Sequence, residues 1–255
     1  MTSKLKLTLL LSASISASMF AEDAARDHQI DYGLSFASMQ QGTDYKTASF
    51  SGIFAQCLYS PVNSVFIDTG FDVVAGKIEA KDSDAYGPAK LNSALSTMHL
   101  GFGYTVPFGD HKLSPFISRT MTKERSRAKI RYIDDTEGGR VVHHEEKWDI
   151  DMSVNTTSIG AQMDIVMGKF AVVPRVAVGR TDGGEIATSV NENSRELGMK
   201  NSSVVDLGVA GRFNLTQGFG FYASLNYNNL KLQSNDIEDQ KMGSTRLNLG
   251  VLHSF

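Results

Sequence analysis

The residues that could carry chemistry in this 255-residue chain lie in two short polar stretches. Residues 143–146 read His-His-Glu-Glu, side-chain types that bind metal ions, while Asp82 and Asp84 could present two carboxylates for hydrolysis. Adjacent histidines in a strand point to opposite faces, and the helical His-Glu-x-x-His spacing is absent. The sequence therefore favours a solvated loop in the first stretch and turn-forming aspartates in the second, and we predict no catalytic residue, metal site or cofactor.

Charge and cysteine content exclude several other functions. The chain has 25 Lys and Arg against 28 Asp and Glu, and removal of Lys4 and Lys6 with the leader described below leaves 23 against 28, a net charge of −5. With this balance and no basic patch, a nucleic-acid partner is not expected. Cys57 is the only cysteine, which excludes an internal disulfide and a metal site built on two cysteines.

The N-terminus has the pattern of a secretory signal. Two lysines precede an apolar run at 5–15, and small residues follow it. The run is shorter than the ~20 residues that a spanning helix requires, and no other stretch approaches ~18 apolar residues. We expect a signal peptide at 1–21, cleaved after Ala21 or Ser18, and one large β domain at 22–255.

Alternation of apolar and polar residues with a period of two recurs along the β domain. The clearest case is 97–108, where Met98, Leu100 and Phe102 face one way and Thr97 and His99 the other. Ten such segments can be counted, joined alternately by short turns and by longer polar loops. The short turns are 60–63, 109–112, 168–169 and 216–218, and the long loops are at about 77–92, 122–151 and 181–202.

This alternation of connections favours a membrane barrel over a soluble β-sandwich, whose long loops would not all fall at one end. The charged loop at 122–151 is expected to be a long hairpin that stands out of the membrane. Aromatic residues next to the short turns predict a girdle at the periplasmic interface. Its members are Tyr59, Phe108, Phe170, Phe213 and Phe219, with Phe255 at the same level.

Charged residues occupy positions that the alternation directs inward. They are Asp31, Asp68, Asp72, Asp164, Arg175, Asp206, Arg212 and Arg246, with Arg119 as a less certain member. A ten-stranded barrel is narrow, and opposed charges inside it would pair and fill it, because unpaired buried charge is costly. Small inward residues such as Gly101 and Gly103 could equally leave a thin water column, so a permeation path is the alternative.

The last ten residues carry a specific resemblance. Residues 246–255 alternate, and Asn248, Gly250 and the terminal Phe255 resemble the C-terminal signature of bacterial outer-membrane β-barrels. His253 departs from that signature, since the family usually has an aromatic or aliphatic residue there. The resemblance implies recognition by the barrel-assembly machinery through this strand, which would close the barrel against Gln29 to Ala37.

Over nearly all of its β domain the chain resembles small outer-membrane β-barrels of the OmpA/OmpX-like and opacity-protein class. This implies an all-β fold, a transmembrane antiparallel up-and-down barrel of about ten strands (eight or twelve as alternatives), in the outer membrane of a Gram-negative cell. Outer-membrane lipid and lipopolysaccharide are its expected surroundings. Ten-stranded proteases of the omptin family use paired aspartates and an Asp–His pair at the barrel mouth, but their Asp-x-His sequence is absent here.

The resemblance implies adhesion or surface binding through the loops. The first hypothesis is a non-enzymatic barrel with a largely plugged lumen that binds an extracellular ligand or supports envelope integrity. A narrow porin-like channel for ions or small solutes is the second hypothesis. A hydrolase at the barrel mouth is the third.

Overall fold

The strands of the protein form one continuous sheet. A computed structural model describes residues 28–41, 47–62, 64–79, 90–134, 142–191, 193–216, 218–234 and 240–255. The expected signal peptide at 1–21 and the residues Asp82 and Asp84 lie outside this part of the chain. No α-helix among the described residues is long and apolar enough to cross a membrane.

Twelve strands follow one another along the chain, each antiparallel to its neighbours. They are β1 (Gln29–Gln41), β2 (Ala48–Val62), β3 (Val65–Glu79), β4 (Lys90–Tyr104), β5 (Val106–Phe108), β6 (His111–Asp134), β7 (Val142–Met167), β8 (Phe170–Val190), β9 (Asn193–Lys200), β10 (Ser203–Asn214), β11 (Phe219–Ser234) and β12 (Gln240–Ser254). After a break at Thr105, β5 continues β4 alongside β6. Strand β9 pairs with the outer half of β8 and the end of β11.

Ten strands close the barrel, because β12 pairs with both β11 and β1. This confirms the predicted strand number and the predicted closure of the last strand on the first. A ladder of paired residues that starts at Ser126 of β6 circles the barrel and returns to β6 at Ser114, so the shear is 126 − 114 = 12 residues. The ladder runs through Ser126, Ser93, Gly76, Phe50, Ala37, Arg246, Asn226, Gly208, Arg175, Gln162 and Ser114. A shear slightly above the strand number tilts the strands by ~40°.

The two faces of the sheet have opposite chemistry. Outward side chains such as Leu34, Met98 and Ile159 are 56%, 62% and 61% exposed, while the inward Ser35 is fully buried. An exposed apolar band around a closed barrel fits lipid, because every backbone group is paired within the sheet. Strand β2, whose orientation the sequence leaves open, directs Phe50 and Phe54 inward.

Strands β6 to β9 extend well beyond the rest of the barrel. The outer ends of β6 and β7 pair from Arg125–Asp151 up to Asp134–Val142, within the charged stretch 122–151. The expectation of a polar loop at 181–202 is wrong: β8 continues to Val190 and β9 pairs back onto it. The reason is that Ile186 of β8 and Met199 of β9 still face inward there and pack against the apolar cluster, and Leu197 of β9 is buried as well.

Candidate functional site in the barrel lumen

The eight inward charges predicted from sequence line the middle and lower part of the lumen. Strand β3 supplies Asp68 and Asp72, each at most 6% exposed, and β1 supplies Asp31. Strands β8, β10 and β12 contribute Arg175, Arg212 and Arg246, and Asp164 and Asp206 come from β7 and β10. Arg119, whose direction the sequence leaves uncertain, lies on the outer face of β6 between exposed Ile117 and Met121.

Asp68 is the centre of this arrangement. One carboxylate oxygen accepts from Gln56 Nε2 at 3.0 Å and lies 3.1 Å from His99 Nε2. The other oxygen accepts from Arg175 Nη1 at 3.3 Å, from the opposite wall of the barrel. The Arg175 guanidinium also lies 4.1 Å from the centre of the Phe116 ring. Asp68 thus joins β2, β4 and β8 across the lumen.

Two further ion pairs cross between strands. Arg246 Nη1 lies 3.6 Å from Asp72, and Arg246 donates to Thr97 Oγ1 at 3.3 Å. Arg212 lies 3.8 Å from Asp164. These distances are long for direct hydrogen bonds, so the pairs are held by charge more than by geometry.

The remaining two carboxylates have uncharged partners. Gln29 Nε2 donates to both oxygens of Asp31, at 2.6 and 2.7 Å. Asn228 donates to Asp206. The predicted charges therefore lie in one zone of the lumen, but they form several local groups and not one continuous network.

Two residues that complete the site were not among the predicted charges. His99 and Gln56 bind Asp68, and the alternation of β4 already places His99 on the polar face. The sequence does not identify the partners of Asp68, because partners meet only in the folded barrel. Asp68 and His99 are 31 residues apart, and Asp68 and Arg175 are 107 apart.

Apolar side chains cluster in the lumen above the charged zone. Fourteen buried residues form one cluster, including Phe50, Leu95, Leu230 and Met242 from strands on different sides of the barrel. Below it, smaller groups lie among the charges: Phe54 with Tyr222 and Leu252, and Phe66 with Phe116. On the β4–β6 wall of this region, Ser93 and Ser126 donate hydrogen bonds to the buried Glu124, so polar groups lie beside the apolar cluster there.

A cavity of about 280 Å³ lies between the apolar cluster and the charged groups. Its lining includes Asp72, His99, Arg175 and Arg246. Both oxygens of Asp72 are buried and accept no hydrogen bond within the described part of the chain. Such a polar cavity suits bound water, which satisfies buried oxygens.

The stretch 143–146, considered for metal binding, is part of β7. His143 and His144 lie in β7 opposite Ile133 and Tyr132. Over the residues that the structure describes, no three His, Cys, Asp or Glu side chains come together in a group that could hold a metal ion.

The lower rim carries the expected aromatic residues and the C-terminal signature. Tyr59, Phe108, Phe170 and Phe219 are 40–69% exposed, and the rings of Phe170 and Phe213 are 4.5 Å apart. Phe255 N donates to His28 O at 3.1 Å. The ring of His253 faces outward 5.7 Å from the Phe255 ring, so it takes the place of an aromatic residue at this rim.

The outer face of the extension carries paired charges. Arg125 Nε donates to Asp151 at 2.7 Å, Arg127 lies 3.0 Å from Asp149, and Lys129 lies 3.6 Å from Glu145. The hydrogen bond to Asp151, with the attraction of its charge, raises the pKa of the Arg125 guanidinium. These pairs are solvent-exposed, so each contributes little to stability.

Comparison with solved structures shows the same fold in OmpT and weaker likeness in two others. The outer membrane protease OmpT from Escherichia coli superposes with a TM-score of 0.63 at 9% identity, covering 92% of this chain and 99% of that chain. The translocator domain of the autotransporter NalP from Neisseria meningitidis has a TM-score of 0.45 at 11% identity (99% and 97% covered), and Ail from Yersinia pestis has 0.39 at 13% (91% and 100%). No protein-family model and no curated sequence matches the chain. The likeness to OmpT concerns the fold.

Proposed function

We propose that this small Gram-negative outer-membrane β-barrel acts without enzymatic chemistry, as a surface-binding protein with a closed lumen. The observation that carries the proposal is the apolar cluster across the upper lumen, with Leu95 and Leu230 at most 9% exposed. With the interior closed, the part available to a partner is the extension of β6 to β9, which stands outside the membrane.

The extension offers a defined binding surface. Its β6 strand presents Arg125, Arg127 and Lys129 outward in one row, and each side chain is more than 60% exposed. Cross-strand carboxylates hold these side chains in place, so less conformational entropy is lost when a partner binds them. An ordered row of charges of this kind suits a charged surface or polymer outside the cell.

The test is attachment of whole cells. A Gram-negative host expressing the protein is added to wells coated with heparin, collagen or albumin. We expect attachment above that of the empty host on at least one of the first two coats. Arg125→Glu with Arg127→Glu should reduce it several-fold, because the row reverses its charge.

The matched control is Lys169→Glu, which changes charge at the opposite, periplasmic end of the barrel and should leave attachment unchanged. Wild-type cells that attach no better than the empty host on every coat, with the barrel folded, would overturn the proposal.

A narrow channel is the second candidate. The polar cavity and the buried Asp72 oxygens favour it, since both suit a chain of water molecules. It requires the apolar layer above the cavity to open.

A further inference from the structure

Three basic side chains lie on the lipid-facing surface of β6 and β8. Arg119 and Lys123 of β6 and Arg180 of β8 point outward and are exposed. Within the described part of the chain none of the three pairs with a carboxylate. Outward unpaired charges next to hydrocarbon are costly, so their position requires a partner from the membrane.

The height of Arg119 places it in the outer half of the apolar band. It lies six residues along β6 from Leu113, near the short turn at 109–112, which corresponds to ~15 Å of a band ~25 Å tall. Exposed Ile117 and Met121 flank it on its own strand, and Leu100 is its neighbour on β4. Its long side chain can extend upward to the headgroup level, where Lys123 and Arg180 lie.

The register brings the two arginines together. Thr157 of β7 pairs with Arg119 on one side and Arg180 on the other, so their Cα atoms are ~10 Å apart across three strands. Thr157 Oγ1 donates to Asp182, the nearest outward carboxylate on β8. Asp182 keeps its negative charge, and the exposed Glu185 lies on the same rung as Lys123, across Ser153. Three cations thus face two carboxylates, which leaves this basic patch with a net charge of +1.

The opposite side of the barrel has no such patch. Over residues 203–213, 219–229 and 243–253, the outward positions of β10, β11 and β12 hold no lysine or arginine. Within the band, outward basic residues are thus found on β6 and β8, as expected of a site and not of a general interfacial ring. The outward Lys77 of β3 lies twelve residues along its strand from Val65, above the ~25 Å band.

We propose that Arg119, Arg180 and Lys123 bind the phosphate groups of a lipopolysaccharide molecule in the outer leaflet. Guanidinium groups match phosphate oxygens with paired hydrogen bonds, and low dielectric strengthens them. This site is independent of the attachment proposed for the extension, since it uses a different face and a different height.

The test uses the purified, refolded full barrel in phosphatidylcholine vesicles, with lipopolysaccharide, dephosphorylated lipopolysaccharide or inorganic phosphate added. Bound lipid is counted by mass spectrometry, and stability is followed by heat-modifiable gel migration. We expect the wild type to retain only the phosphorylated lipid and to unfold at a higher temperature with it. Arg119→Gln with Arg180→Gln should weaken that binding at least about tenfold.

Two variants control for loss of charge and loss of folding. Arg125→Gln with Arg127→Gln removes the same charge above the band and should keep the binding, and Arg119→Lys with Arg180→Lys should retain part of it. Binding that is equal with dephosphorylated lipid, stabilisation by inorganic phosphate alone, or equal loss in the Arg125/Arg127 control would each overturn the proposal.

Discussion

Asp68 shows at the scale of single residues how the lumen holds its charges. The carboxylate is 4% exposed, yet three donors from β2, β4 and β8 surround it. Sequence alternation predicts that it faces inward, as it does for Arg175. It cannot predict that the two meet, because strand tilt decides which inward residues on opposite walls share one height.

The first prediction removes one partner of this pair. Arg175→Met should lower the free energy of unfolding by roughly 1–3 kcal/mol, below the range for fully buried pairs because Arg175 is partly exposed. Urea unfolding in lipid vesicles measures the change. Asp68→Asn in the same chain should restore part of the loss, since no unpaired charge is then left.

Equal stabilities of Arg175→Met and the wild type would show that His99 and Gln56 alone satisfy Asp68. The cation–π contact with Phe116 would then also contribute little to stability.

At the scale of elements, alternation identifies most of the strands but not their outer ends. The segment 97–108 is clear because apolar residues occupy only one of its faces, whereas β2 has Phe50 on one face and Ile53 on the other. The sequence of the outer half of β8 and of β9 predicts a loop, because polar residues dominate above the membrane, where both faces of a strand can contact water. Backbone pairing with neighbouring strands makes this segment a strand.

The seam between β1 and β12 supplies the second prediction. Gly33 and Gly250 are directly paired, and a Cβ on Gly250 would collide with the carbonyl oxygen of Tyr32. Gly250→Ala should therefore lower stability by about 1–3 kcal/mol and reduce the folded fraction seen as heat-modifiable migration.

Gly243→Ala is the matched control on the same strand. A Cβ there lies 3.8 Å from Tyr227 Oη, so this variant should fold as well as the wild type. A Gly250→Ala barrel that folds and closes normally would show that the two strands of the seam can move apart far enough to admit a methyl group.

At the scale of the whole molecule, the barrel combines a lipid-facing band, a charged lower lumen and an apolar upper lumen. The first two follow from the sequence, since apolar and charged residues alternate along each strand. The apolar cluster of the upper lumen does not, because its members are inward residues of many strands that reach the same height only in the closed barrel.

The last prediction separates a closed lumen from a channel by conductance in planar bilayers. The wild type should show no steps, whereas Leu95→Ala with Leu230→Ala should conduct, because both changes remove bulk from the layer above the cavity. Leu100→Ala with Leu225→Ala changes the same residue types on the same two strands but on the lipid face, and should stay silent. Gel migration before and after heating shows that each variant is folded. If the wild type shows conductance steps, and Leu95→Ala with Leu230→Ala does not change them, the protein is instead a narrow channel.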